Sequence, residues 1–88
     1  MNFKAYPWAS NYYKCSIIFR EKEYNSVDEV YQEYKDKADI QNILYIATAL
    51  KFLQNEDLKI KLLTLEFFDD TIIAKRLKDI KETLISIS

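Results

Sequence analysis

Residues 23–35 read EYNSVDEVYQEYK. The stretch changes period partway along, and the change sets the architecture. Upstream of it, Cys15, Ile17 and Phe19 alternate with Lys14, Ser16 and Ile18, which is the period of a short half-buried strand. The polar run Arg20-Glu21-Lys22-Glu23 leads on to Tyr24, so the strand could return as a hairpin, although neither Asn-Gly nor Asp-Gly marks a turn. Ser26 and Glu29 then form the S-x-x-E capping box of a helix start. That helix is expected to run to about Lys37, with Val27, Val30, Tyr31 and Tyr34 as its buried stripe.

Three more helices follow from the same reasoning. The spacing of Ile40, Ile43, Leu44, Ala47, Leu50 and Leu53 predicts a helix from about Asp39 to Gln54. Asn55 reads as the cap of a short third helix, Glu56 to Leu65, with Glu56 and Asp57 in its first turn and Leu58, Leu62 and Leu65 inward. After Phe67 and Phe68, Asp69 or Asp70 is expected to cap a last helix with the stripe Ile73, Leu77, Ile80, Leu84 and Ile87. This stripe could close a core or form a dimer seam. Core is favoured, because a coiled coil needs about three to four heptads. The fold class expected is α+β, mostly α: a strand or hairpin followed by about four helices in one domain, residues 1–88.

Composition narrows the chemistry. The chain has 88 residues, enough for one small core, and 49% are apolar, which argues against disorder. With 13 basic and 14 acidic residues it lacks the basic excess of a nucleic-acid binder. No histidine is present, so Ser-His-Asp and Cys-His catalysis are excluded, and a zinc site is not expected from one cysteine. No glycine is present either, so neither a dinucleotide fingerprint nor a P-loop can be built. No cofactor is expected. Cys15 alone suggests a reducing compartment, and its ordinary role is a small buried strand residue. No apolar run approaches the ~20 residues of a membrane span, so the expected location is the cytoplasm, of a cell or of an infected host.

Four segments resemble the NADAR family, the YbiA-like N-glycosidases linked to ADP-ribose and riboflavin-precursor chemistry. SNYY, residues 10–13, looks like the family's S-N-F-Y. Residues 17–35 are similar to its strand-turn-helix segment, in which a D-G turn precedes S-x-E-H and then F-Q-x-x-K. ATALKFLQNEDLKIKLLTL, residues 47–65, looks like its A-L-x-x-K-F-x-Q helices, and AKRLKDIKETL, residues 74–84, resembles its last helix. The departures are equally specific. The acid of the family's E-H pair falls on Asp28, its His on Glu29, and its D-G turn on Arg20-Glu21. The family's arginine-rich stretch after the first helix and its Gly-rich segment before the last are missing, and both supply site residues.

The resemblance therefore implies a shortened and disarmed frame, with one wall of the old site left: Asn11, Asp28, Gln32 and Lys35. N-glycoside cleavage requires a carboxylate and a shell that holds the sugar. Asp28 could supply the first, and nothing obvious supplies a second acid. The favoured expectation is a non-catalytic binding or inhibitory protein, for instance a virus- or mobile-element-encoded inhibitor of a host defence factor. Its partner would be a protein, with an ADP-ribose-like nucleotide as a further candidate ligand. The alternatives are a minimal N-glycosidase using Asp28, and a helical subunit that homodimerises through its last helix. Trp8, Tyr12 and Phe68 are the candidate partner-binding aromatics, since tyrosine and tryptophan are enriched at binding hot spots. Asp28, Gln32 and Lys35 are spaced four and three apart, on neighbouring turns of one helix, and a solvated polar face is the plain alternative for them.

Overall fold

The alternating segment forms a strand, and the strand is paired. The computed structural model describes residues 5–66 and 69–87. In it, β1 (Ile17–Phe19) runs antiparallel to β2 (Lys22–Tyr24), with Ile17 opposite Tyr24 and Phe19 opposite Lys22. Arg20 and Glu21 make a two-residue connection with φ of 52° and 66°. Two successive left-handed residues are what a tight hairpin turn demands, and Asn-Gly adopts them at least cost. The Arg20 guanidinium sits over the rings of Phe19 and Tyr34, 4.9 and 5.1 Å from their centroids, which offsets part of the strain.

The outer edge of β1 is closed by a side chain. The Gln54 amide accepts from the Ile18 N–H at 2.7 Å and donates to the Ile18 carbonyl at 3.0 Å. It satisfies both backbone groups as a third strand would. Asn55 donates to the Ser16 carbonyl at 2.9 Å and to the Lys51 carbonyl at 2.8 Å.

α1 (Val27–Tyr34) begins at the capping box. Ser26 accepts from the Glu29 N–H at 3.2 Å, and the Glu29 carboxylate reaches back to the N–H of Asn25, one residue before the cap. The helix stops at Tyr34, short of the expected Lys37. There the Lys37 N–H donates to the Tyr34 carbonyl in a tight i to i+3 turn. Val27 and Val30 are fully buried, while Tyr31 turns out to be 38% exposed.

α2 (Ile40–Leu53) is the spine. Its Ile43, Leu44 and Ala47 pack with Ile17, Phe19, Tyr24, Val27 and Val30 in one core cluster. Its Phe52 joins Trp8, Ala9, Leu58, Leu62, Leu65, Leu77, Ile80 and Leu84 in a second. Leu53, expected on the apolar face, is exposed. α3 (Glu56–Thr64) starts after Asn55 as anticipated, but the Asn55 side chain makes no cap; its NH2 group instead donates to the Ser16 and Lys51 carbonyls.

α4 (Ile72–Ile87) lays Leu77, Ile80 and Leu84 into the second cluster, and Ala74 is buried with them, while Ile87 is exposed. Its start is capped by Thr71, whose hydroxyl accepts from the Ala74 N–H at 3.1 Å, and Asp69 in turn accepts from Thr71. The expected caps, Asp69 and Asp70, thus lie two residues and one residue too early, and Asp69 acts by holding the cap. The architecture is α+β and mostly α, a hairpin followed by four helices.

Candidate binding site

The turn at residues 10–13 is fixed from four directions. Ser10 uses its hydroxyl to accept from the Tyr12 N–H at 3.1 Å and its carbonyl to accept from the Tyr13 N–H at 3.2 Å. The Asp28 N–H, in the first turn of α1, donates to the Asn11 carbonyl at 2.9 Å. From the far side, the Lys51 ammonium donates to the Ser10 carbonyl at 2.9 Å. A turn held this firmly nonetheless leaves the Tyr12 ring 73% exposed.

Beside the turn lies a concavity of about 320 Å³ lined by Asn11, Tyr12, Asp28, Tyr31 and Leu44. Asp28 and Tyr31 are three residues apart and share one face of α1. The structure thus brings Asn11, Tyr12 and Asp28 together at one place. Gln32 opens onto a different concavity, of about 400 Å³, with Lys22, Glu23, Tyr24, Glu29 and Glu33. Lys35 follows the end of α1, is exposed, and lines neither. Trp8 is buried, edge-on to Phe52 at 6.1 Å, so its ring serves the core. Phe68 lies outside the described residues.

The acids near this concavity differ in how they are used. Glu29 bonds to the Asn25 N–H and pairs with Lys14 at 3.8 Å. Glu33 pairs with Lys22 at 2.7 Å and accepts from the Tyr24 hydroxyl. Glu23 accepts from Ser16. The Asp28 side chain makes no hydrogen bond or ion pair with any described residue. Among the described residues it is also the one carboxylate lining its concavity, whereas glycoside hydrolysis ordinarily uses two acids flanking the bond.

Lys51 is the residue the sequence does not advertise. It is 1% exposed, its ammonium lies 5.6 Å from the Tyr13 ring centroid and 5.4 Å from that of Phe52, and no carboxylate pairs with it among the described residues. Burial pulls its pKa down from 10.5 to about 8, with the nearby Cys15 acting weakly the other way. The Cys15 thiol is half-buried and pushed up by burial, with Lys51 opposing and Asp57 adding to the rise. A signal for Lys51 did exist. It falls on the inward face of α2, four residues after Ala47 and three after Thr48, both of which are buried.

A wider groove of about 650 Å³ runs past Tyr6, Trp8, Lys61 and Leu65. Among the described residues, no group of three or more Cys, Asp or Glu side chains gathers to hold a metal, and no helix is long and apolar enough to cross a membrane.

No protein-family model matches this chain, and no curated protein and no solved structure is similar to it at a significant level.

Proposed function

We propose that this is a small non-catalytic binding protein that works through the concavity between the 10–13 turn and α1. The observation that carries this reading is Lys51. A buried ammonium without a counter-ion costs several kcal/mol in the general case, and a hydrophobic residue of the same size would stabilise the core better. Its hydrogen bond goes to the carbonyl of the turn that presents Asn11 and Tyr12 beside Asp28. Ionisable groups with strongly perturbed pKa values concentrate at functional sites, and this one fixes the turn beside the concavity.

The frame is consistent with descent from an N-glycosidase that lost its Gly-rich and arginine-rich segments, and that ancestry is part of the proposal. The enzyme alternative assigns the carboxylate to Asp28, but no second acid lines the same concavity among the described residues. The dimer alternative places the seam on α4, whose Leu77, Ile80 and Leu84 already face the core.

The test pairs affinity capture with an activity assay. Wild-type protein is expected to recover a partner that the double variant Tyr12→Ala, Asp28→Asn loses, while Ile60→Ser, on exposed α3 surface, retains it. Incubation with ADP-ribosylated nucleotides and a riboflavin-pathway N-glycoside is expected to release no base. Capture that survives the double variant, or base release abolished by Asp28→Asn, would overturn the reading.

A further inference from the structure

The charge lining the concavity between the 10–13 turn and α1 is negative. Among the described residues, Asp28 is the one ionisable group there besides the tyrosine hydroxyls, and no lysine or arginine lines it. Its carboxylate has no partner among the described residues, whereas Glu23, Glu29 and Glu33 nearby are all engaged. Two tyrosine rings flank it, Tyr12 at 73% and Tyr31 at 38% exposure, and Leu44 is buried against the first core cluster.

Among the described residues, a diphosphate placed here would meet one carboxylate and no cationic side chain, and like charges repel. A cation would meet the opposite preferences. An ammonium or guanidinium beside a carboxylate gains Coulomb energy, and the faces of tyrosine rings attract it through their quadrupoles. The alkyl stem behind such a group would lie along ring carbons and the edge of Leu44, as lysine and arginine stems do elsewhere. A polyamine, with several charges along its length, would find one carboxylate where it needs more.

We infer that this concavity receives the side chain of a lysine or arginine presented by a partner protein. The inference rests on the binding reading above and adds the chemistry of the ligand. Asn11 contributes an amide for the partner's backbone or guanidinium, and Tyr12 and Tyr31 supply the aromatic walls.

Heteronuclear NMR of the whole chain tests it, with N-acetyl-lysine methylamide, N-acetyl-arginine methylamide, N-acetyl-norleucine methylamide and inorganic diphosphate as probes. The two cationic probes are expected to shift the backbone amides of Asn11, Tyr12, Asp28 and Tyr31 saturably, with a Kd on the order of 1 mM, while the neutral norleucine isostere does not. Asp28→Asn is expected to weaken the cationic probes about tenfold, the loss of one charge-assisted contact. The dispersion of its own spectrum reports that it is folded. Tyr31→Leu, which keeps an apolar side chain but removes the ring, is expected to weaken binding several-fold.

Diphosphate shifting these amides where the cations do not would overturn the inference, as would cation shifts unchanged by Asp28→Asn. Cation-insensitive amides together with a captured partner that still depends on Tyr12 and Asp28 would reject the ligand class and leave the binding site standing. Loss of both would reject the two together.

Discussion

The Lys51 ammonium donates to the carbonyl of Ser10, 41 residues earlier in the chain, across 2.9 Å of protein interior. The pair joins the C-terminal half of α2 to the turn that carries Tyr12, and it does so with a charge that water does not reach.

The pH dependence of stability is the first consequence. Lys51 has a folded pKa of about 8 against 10.5 unfolded, so between those values the unfolded chain holds more protons. Its contribution is therefore flat and unfavourable below pH 8, improves as pH rises through the window, and levels off near 10.5. At about 1.4 kcal/mol per unit the change is roughly 3 kcal/mol. The raised Cys15 thiol pulls the other way over part of the same range, so the measurement is a difference. Urea melts of wild type and Lys51→Met at a series of pH values should show wild type gaining on the variant as pH rises from 8 to 10.5. Near pH 7, Lys51→Met is expected to be more stable by about 1–3 kcal/mol, since Ser10 keeps its bond from Tyr13.

The hairpin turn holds strain that glycine would relieve. Glu21 has a φ of 66° and its side chain makes no hydrogen bond with a described residue, so Glu21→Gly is expected to stabilise the fold by roughly 1 kcal/mol despite the greater freedom of the unfolded chain. Arg20→Gly should gain less, because it loses the guanidinium over Phe19 and Tyr34. Denaturation midpoints rank the two.

Gln54 is expected to matter for solubility as well as stability. Gln54→Ala leaves the Ile18 N–H and carbonyl without their side-chain partner, at a cost of about 1–2 kcal/mol, and reopens the β1 edge to pairing between chains. Gln54→Glu keeps the acceptor and loses the donor, so it should fall between. Light scattering on heating separates edge pairing from simple destabilisation.

Cys15 should react slowly. A half-buried thiol with a raised pKa presents little thiolate at pH 8, so disulfide-reagent labelling of the native protein is expected to be much slower than labelling of the urea-unfolded chain. Lys51→Met removes the cation that partly lowers that pKa and should slow labelling further.

Much of the fold was legible because it is written in period and caps. The Leu77, Ile80, Leu84 stripe and the Ser26, Glu29 box are local patterns, and local geometry honours them. The turn at Arg20 and Glu21 carries no such mark, since its conformation is imposed by the pairing of Phe19 with Lys22 and by ring stacking rather than by the residues' own preference. The site was half legible. Asn11, Tyr12 and Asp28 meet, yet Gln32 opens elsewhere, because a shared helix face says nothing of the loop and strand that divide it. Lys51, Gln54 and Asn55 were missed as clasps. Polar side chains at the end of a helix ordinarily meet water, and their partners here are backbone groups 36 to 41 residues away in sequence.

Because α2 contributes to both core clusters, the domain has no seam along which to come apart. A cleavage or truncation that removes either the hairpin with α1 or the pair α3 and α4 strips one side of a helix that is buried on both. Neither fragment should hold structure by itself, and the chain should melt in a single step whichever end is probed.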